Sequence, residues 1–129
     1  MKHIKNLKIV ITAGASGIGS KIAQILSQAD AKVIICDKDQ EVLDQFSKNN
    51  PEIMTLKADV SNEEEVTSFF NEIKDHFGEI NSLINNAGIA GPSAKLEDTN
   101  FDDWKNTLSV NLNGTFLCTK SAIPLLRSA

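Results

Sequence analysis

The sequence predicts an α/β fold in which helices cover both faces of a parallel sheet. The first observation is residues 9–19, where a β-branched apolar run passes through a turn of small residues into a helical pattern. The second is that short apolar runs alternate along the chain with segments of helical periodicity. The third is the length of those helical segments, which is typical of right-handed crossovers between parallel strands. Together the three observations predict a doubly wound sheet.

The first strand is predicted at residues 7–12, a near-continuous apolar run typical of a strand that is buried on both faces. A helix follows from Gly17 to about Ala29, because apolar residues recur there at helical spacing. The residues predicted to face inward are Ile18, Ile22, Ile25, Leu26 and Ala29.

Two further strands flank a short helix. Residues 32–36 are predicted as a second buried strand. Residues 53–58 are predicted as a third strand, nearer the edge of the sheet because its apolar content is thinner. The helix between them spans residues 39–48 and is stopped by the Asn-Asn-Pro sequence at 49–51. Its inward side chains are predicted to be Val42, Leu43 and Phe46.

A third helix, a fourth strand and a long helix complete the pattern. Ser61 and Glu64 predict a capping box for the third helix, which runs to His76 and is closed by Gly78. The fourth strand is predicted at residues 80–85, and the long helix runs from about 102 to 127. The apolar stripe of the third helix consists of Val66, Phe69, Phe70, Ile73 and Phe77.

Composition limits the class of protein. A chain of 129 residues fits one domain, and a net charge of −4 argues against a nucleic-acid partner. No apolar run is long enough to cross a membrane. Cys36 and Cys118 lie far apart in apolar patterns and are interpreted as reduced, buried thiols, which is typical of a cytoplasmic protein. His3 and His76 are isolated, so no metal site is expected.

The turn at residues 12–19 predicts a phosphate-binding site. Glycines let the backbone approach a diphosphate closely, and the unpaired N–H groups at the start of the next helix point toward the anion. A preceding strand and a following helix are the context that such a site requires. The alternative is a glycine-rich loop that binds no ligand.

Asp37 ends the second strand, twenty residues beyond Gly17. A carboxylate at this position accepts hydrogen bonds from the ribose hydroxyls of adenosine and repels a 2′-phosphate, so it favours NAD over NADP. Lys38 acts in the opposite direction, because a base there tolerates additional phosphate charge, whereas Ser16 adds no positive charge. The alternative for Asp37 is a polar strand end or a helix cap.

Four motifs resemble those of the short-chain dehydrogenase/reductase family, and the resemblance runs from about Leu7 to the C-terminus. The motifs are Thr12-Ala13-Gly14-Ala15-Ser16-Gly17-Ile18-Gly19, Asp59-Val60, Asn85-Asn86-Ala87-Gly88, and Asn111 within Val110-Asn111-Leu112-Asn113-Gly114. The family usually has glycine at the position of Ala13, and a small shift of the turn at Gly14 is expected to absorb this difference. The resemblance implies a Rossmann-type sheet of strand order 3-2-1-4, in which residues 1–129 form the NAD-binding half and the chain ends after the long helix.

The resemblance also implies a role for each motif in cofactor binding. Asp59 would contact the adenine, with the Val60 backbone beside it, whereas the residue type alone fits any position ahead of a capped helix. Asn85 would tie the fourth strand to the first near Thr12. The segment implied to run under the ribose and nicotinamide side is Asn86, Ala87 and Gly88, for which the alternative is an ordinary turn. The residues implied to surround the diphosphate are Thr12, Gly14, Ser16, Gly17, Ile18 and Gly19.

Asn111 resembles the asparagine that holds a water molecule for proton relay in this family; the alternative is a polar residue that bends the helix. The family's hydride transfer between NAD(H) and an alcohol/carbonyl pair also needs a Ser, a Tyr and a Lys beyond this helix, with the tyrosine as acid and base. This chain contains no tyrosine and ends at Ala129. We therefore expect an oxidoreductase at the level of the family and no catalysis by this chain alone.

The sequence alone does not decide between several functions. The chain is either the cofactor-binding part of an oxidoreductase or a stand-alone, non-catalytic module that binds a dinucleotide or assembles. A scaffold that binds no nucleotide ranks last. The apolar end of the last helix favours the first hypothesis. Because the order 3-2-1-4 leaves the fourth strand at an edge, we expect homo-oligomers through that edge or through the long helix.

Overall fold

Four parallel strands form one sheet in the structure of residues 2–129, which is a computed structural model. The strands are β1 (Lys8–Thr12), β2 (Lys32–Asp37), β3 (Met54–Lys57) and β4 (Ser82–Ile84). Their order across the sheet is β3-β2-β1-β4, with every neighbouring pair parallel. The predicted fold class and strand order are confirmed, and β3 lies at an edge as its thinner apolar content indicated.

In this part of the chain, five α-helices connect and cover the strands. They are α1 (Gly17–Gln28), α2 (Gln40–Asn49), α3 (Glu63–Phe77), α4 (Phe101–Leu108) and α5 (Gly114–Arg127). A π-helical turn, Ser109–Asn113, joins α4 to α5 without a break. Short 3-10 segments occupy Lys2–Ile4 and Leu96–Asp98. Across residues 2–129, none of the helices has the combination of length and apolar character that crossing a membrane requires.

Side chains from the two faces of the sheet form two apolar cores. Val10 and Ile34 belong to the core that α3 and α5 cover, whereas Ile11 and Ile35 belong to the core that α1 and α2 cover. All four side chains are fully buried. The strands are apolar at consecutive positions because both of their faces are covered.

The inward face of α1 agrees with the predicted one only in part. Ile22 and Leu26 pack against the core that α1 and α2 cover, as predicted. Ile18 is 75% exposed and Ile25 is 41% exposed, whereas Gly19 and Ala23 are the buried residues of this helix. Small residues on the inward face let a helix axis approach a sheet more closely than isoleucines would. The apolar period therefore identified the helix correctly, but Gly19 and Ala23, and not Ile18 and Ile25, make its closest contact with the sheet.

The predicted capping box at the start of α3 is wrong by one residue. Asn62 caps the helix, because its side-chain oxygen accepts a hydrogen bond of 3.0 Å from the N–H of Glu65. Ser61 is not available for this role, since its N–H and its hydroxyl both donate to Oδ1 of Asp59, at 2.9 and 2.7 Å. A contact with the preceding loop thus decided between two adjacent capping residues.

Strand β4 is shorter than the predicted 80–85. Ile80 is fully buried, but its N–H donates to the carbonyl of Leu125 in α5 at 3.2 Å and not to a neighbouring strand. At the other end, the N–H of Asn86 donates to the hydroxyl of Thr12 at 3.0 Å. Ile80 and Asn86 therefore leave the ladder because other hydrogen-bond partners are in reach, whereas the N–H of Asn81 still donates to the carbonyl of Lys8 in β1 at 2.8 Å.

Candidate functional site

Five of the twelve predicted cofactor residues line a pocket of about 90 Å³ along the carboxyl ends of the strands. The other seven, Thr12, Gly14, Ser16, Gly17, Ile18, Gly19 and Asn86, lie outside its lining. Ligands of doubly wound sheets bind outside this edge. The predicted residues that line the pocket are Asp37, Asp59, Val60, Ala87 and Gly88. Residues to which the sequence assigned no cofactor contact complete the lining, namely Ala13, Lys38, Ala58, Ile89 and Val110.

The turn between β1 and α1 forms one end of this site. Gly14 approaches β2 so closely that a Cβ atom on it would lie 2.5 Å from Cγ2 of Ile35. Its N–H donates to the carbonyl of Cys36 at 3.0 Å. After it, Ser16 begins α1 in an extended conformation without a side-chain cap bond, and Ser16, Gly17 and Ile18 are exposed. The first turn of α1 thus presents backbone N–H groups where an anion is favoured.

The expectation that a shift of the turn at Gly14 absorbs Ala13 is wrong. The φ of Ala13 is +50°, so the alanine itself adopts the left-handed conformation. Gly14 does not absorb the difference from glycine, because the role of Gly14 is the close approach to Ile35. A left-handed alanine costs on the order of 1 kcal/mol and needs support from its surroundings.

Asn86, and not Asn85, ties β4 to β1. The backbone N–H groups of Asn86 and Ala87 both donate to Oγ1 of Thr12 at 3.0 Å, and Nδ2 of Asn86 donates to the carbonyls of Thr12 and Ala13 at 3.2 Å. The side chain of Asn85 instead donates to the hydroxyl of Thr119 in α5 at 3.1 Å. The prediction for Asn85 is therefore wrong, and buried Thr12 is an anchor between the two strands.

Two carboxylates, Asp37 and Asp59, lie in the lining of the pocket, and each has one oxygen held by the protein. Oδ1 of Asp37 accepts from the N–H of Asp39 at 3.2 Å, and Oδ1 of Asp59 accepts both hydrogen bonds of Ser61. Asp39 caps α2, so Asp37 is not the helix cap that the residue type alone allowed. Within the described residues, no hydrogen bond reaches Oδ2 of Asp37 or Asp59. Each carboxylate therefore retains an acceptor atom for a ligand.

Asn111 lies in the π-helical turn and pairs with the backbone of Ile89. Its Oδ1 accepts from the N–H of Ile89 and its Nδ2 donates to the carbonyl of Ile89, both at 2.8 Å. The carbonyl of Asn111 accepts a hydrogen bond of 2.9 Å from the hydroxyl of Thr115. π-Helical turns occur frequently at functional sites. Here the turn fixes the loop after β4 against the long helix.

Sequence reasoning missed Ile89 as the partner of Asn111. Ile89 takes part through its main chain alone, which carries no signature in the sequence. Its position directly after the Asn85–Gly88 motif was the one available signal. No group of three histidine, cysteine or acidic side chains in residues 2–129 is arranged to hold a metal ion.

Cys36 and Cys118 are free, buried thiols of the core that α3 and α5 cover. Burial raises the pKa of Cys36 to about 12, partly offset by the backbone N–H of Ala13, and burial raises the pKa of Cys118 to about 11. The ordinary value for both is 9.0. Thiols with such pKa values stay protonated and are weak nucleophiles.

These pKa values predict a loss of stability at high pH. Above pH 9 the unfolded chain releases thiol protons that the folded chain retains. The free energy of unfolding should therefore fall with a slope of up to about 1.4 kcal/mol per pH unit for each thiol, and should be independent of the thiols below that pH. Denaturant melts between about pH 8 and 10.5 should show a shallower decline for Cys36→Ala/Cys118→Ala than for the wild type. Equal slopes would contradict the prediction.

Comparison with known proteins finds relatives over nearly the whole chain. Residues 7–129 match the family model described as short chain dehydrogenase. The chain is 39% identical to an uncharacterized oxidoreductase, YxbG, from Bacillus subtilis, and the match covers 98% of this chain and 48% of that protein. It is 34% identical to L-fucose dehydrogenase from Bos taurus, over 94% of this chain and 45% of that protein.

A solved structure of a dehydrogenase also matches nearly the whole chain. Ligand-free aldohexose dehydrogenase from Thermoplasma acidophilum superposes with a TM-score of 0.87 at 26% identity, covering 99% of this chain and 47% of that one. The chain thus spans about half the length of the relatives that it matches.

Proposed function

The chain belongs to the short-chain dehydrogenase family, and from this premise we propose that it is the NAD-binding part of an oxidoreductase. The reaction would be hydride transfer between NAD(H) and an alcohol/carbonyl pair. The observation that carries the proposal is the pocket in which Asp37 and Asp59 lie beside the glycine turn and the Ala87–Gly88 segment. The bound dinucleotide would supply the hydride chemistry, and the residues of this chain would bind and orient it.

The charges of the pocket support NAD over NADP. Asp37 and Asp59 place two carboxylates in its lining, against one cation, Lys38. A ribose offers hydroxyl donors to the free carboxylate oxygens, whereas a 2′-phosphate adds negative charge that both carboxylates repel. At the other end, the exposed N–H groups that follow Ser16 would hold the diphosphate.

Asn111 is proposed to hold the water molecule through its main chain. Both polar groups of its side chain are already used by Ile89. Its carbonyl accepts one hydrogen bond from Thr115, and a carbonyl oxygen has two lone pairs. A water molecule held there would use the second lone pair of this carbonyl oxygen. No tyrosine is available from this chain for the acid and base step, so we propose that the chain alone binds NAD without turnover.

Calorimetric titration of the folded chain with NAD and NADP tests this function. We expect saturable heat with NAD and binding weaker by at least about tenfold with NADP. Incubation with NAD and a panel of alcohols that includes L-fucose and an aldohexose should produce no NADH. Absence of heat from a chain that circular dichroism shows to be folded would refute the cofactor proposal, and turnover would refute the claim of lost catalysis.

We propose further that two copies of the chain associate through α4 and α5 and not through the edge of β4. The edge of β4 offers three residues. The helices instead expose an apolar face at intervals of three and four residues, and its members are between 40% and 70% exposed. The members of this α4–α5 face are Phe101, Trp104, Leu108, Leu112 and Phe116.

The charges along α4 and α5 favour a second copy as the partner. Asp102 and Asp103 lie in the first turn of α4, where Lys105 pairs with Asp102 at 3.5 Å. Lys120 lies midway along α5, and Arg127 lies in its last turn. Antiparallel pairing of two such helices around a two-fold axis brings each acidic end opposite a basic end. The α4–α5 face is therefore self-complementary in charge as well as apolar.

Charge substitution on the α4–α5 face should abolish this association. Sedimentation velocity at micromolar concentration should show a dimer for the wild type and a monomer for Phe116→Glu, because a buried carboxylate without a partner costs several kcal/mol. Ile25→Asp is the matched control, since Ile25 is 41% exposed on α1 at the opposite face of the sheet. A monomeric wild type, or a dimer that survives Phe116→Glu, would contradict the proposal.

A further inference from the structure

Ala13 differs in one respect from the other left-handed residues of the chain. Among the described residues, the non-glycine positions with positive φ are Asn6, Ala13 and Asp30. Short polar side chains such as those of Asn and Asp stabilise the left-handed conformation by local hydrogen bonds. Alanine has no such group. The conformation of Ala13 therefore has to be stabilised by another part of the protein.

The side-chain amide of Asn86 provides this stabilisation. Its Nδ2 lies 3.2 Å from the carbonyl oxygen of Ala13 and 3.2 Å from that of Thr12. A carboxamide nitrogen has two hydrogens, so both are donated to this turn. Gly19 closes the other side, because a Cβ atom there would lie 2.4 Å from the Ala13 oxygen and 2.5 Å from Nδ2. The orientation of the Ala13–Gly14 peptide is thereby fixed.

The donor itself is anchored to the sheet. The backbone N–H of Asn86 donates to Oγ1 of Thr12, a residue that is 1% exposed at the end of β1. On the far side of the peptide, the N–H of Gly14 donates to the carbonyl of Cys36 in β2. The amide of Asn86 thus links the end of β4 to the turn, while β2 supports the turn from the other side.

We infer that Asn86 is a positioning residue for the diphosphate: it holds Ala13 in the left-handed conformation and so keeps the turn in its binding shape before the cofactor arrives. Asn86 and Ala13 are then energetically coupled in binding. The inference rests on the proposed function. It replaces the expectation that Asn86 contacts the ribose and nicotinamide side, because both of its amide hydrogens are donated to the turn and are not available to a ligand. A preformed turn lowers the ordering cost of binding.

A double-variant cycle tests the coupling. Asn86→Leu removes both donors at similar volume, and Ala13→Gly removes the cost of the left-handed conformation. With Ala13 present, Asn86→Leu should weaken binding of ADP-ribose about tenfold (about 1.4 kcal/mol). In the Ala13→Gly background, the same substitution should weaken binding of ADP-ribose less than about threefold. Adenosine lacks the diphosphate, so Asn86→Leu should weaken its binding less than about twofold, as measured by NMR titration. A general loss of structure would weaken both ligands alike and would overturn the inference, as would equal losses of ADP-ribose affinity in the two backgrounds.

Asn85→Leu is the matched control, since the neighbouring asparagine bonds to Thr119 and not to the turn. It should leave the ratio of ADP-ribose affinity to adenosine affinity unchanged. If Asn86→Leu does not fold with Ala13, a folded Ala13→Gly/Asn86→Leu chain supports the inference and an unfolded one contradicts it. If the wild type binds neither ligand, the proposed function fails, and the same cycle on denaturant midpoints still decides whether Asn86 and Ala13 are coupled.

Discussion

Replacement of Gly19 by alanine is expected to weaken NAD binding by about 100-fold, which corresponds to about 2.7 kcal/mol. The added Cβ atom would lie 2.4 Å from the carbonyl oxygen of Ala13 and 2.5 Å from Nδ2 of Asn86. Neither atom can move freely, because the two are hydrogen-bonded to each other. Overpacking typically costs about 1–3 kcal/mol, and a broken hydrogen bond adds about 1 kcal/mol. The turn should therefore lose its binding shape.

Calorimetric titration with NAD measures the effect, and Gly78→Ala is its control. Gly78 closes α3 with a φ of +72° and has open space where a Cβ would be. Alanine there should cost about 1 kcal/mol of stability through the left-handed conformation and leave the affinity for NAD unchanged. If Gly19→Ala binds NAD as the wild type does, the close packing of α1 on the turn does not determine binding.

Replacement of Asp37 by serine is expected to shift the ratio of NAD affinity to NADP affinity by about 100-fold toward NADP. The change removes one of two carboxylates from the pocket lining and leaves Lys38 in place. At an effective dielectric constant of about 20, removing a unit charge roughly 6 Å from a phosphate is worth on the order of 2–3 kcal/mol before screening by salt. The loss of an acceptor for the ribose hydroxyls lowers NAD affinity at the same time.

The matched control for charge is Asp39→Ser. Asp39 lies two residues away and caps α2, with its Oδ1 3.0 Å from the N–H of Glu41. Serine also caps helices, so the fold should be retained. Since Asp39 does not line the pocket, the affinity ratio should change by less than about threefold. The double variant Asp37→Ser/Lys38→Ala should not show the gain in NADP affinity that Asp37→Ser shows, because it lacks the cation of Lys38. An unchanged ratio in Asp37→Ser would mean that Asp37 does not face the 2′ position.

The strand order came from the resemblance to the short-chain dehydrogenase/reductase family, whereas the sequence by itself determined the parallel strands, the helices and the edge of the sheet where the candidate site lies. These features follow from local signals. Continuous apolar runs such as residues 32–36 indicate strands covered on both faces, and helices between them require parallel pairing. Once the strands are parallel, their carboxyl ends share one edge, so Asp37 and Asp59 had to lie at that edge, and they lie near each other because β2 and β3 are neighbours. No knowledge of individual contacts was needed.

Only the tertiary structure decided which atoms meet at that edge. Asn86 rather than Asn85 reaches the turn, because adjacent residues at the end of a strand point in opposite directions. Asn86 bonds to Thr12, which is 74 residues away in the sequence, and Asn85 bonds to Thr119, which is 34 residues away. Ala13 is left-handed because Asn86 compensates its cost. Ile18 points outward because Gly19 and Ala23 pack closer to the sheet. Each result depends on distances between segments remote in sequence, whereas periodicity and capping patterns report only on neighbours along the chain.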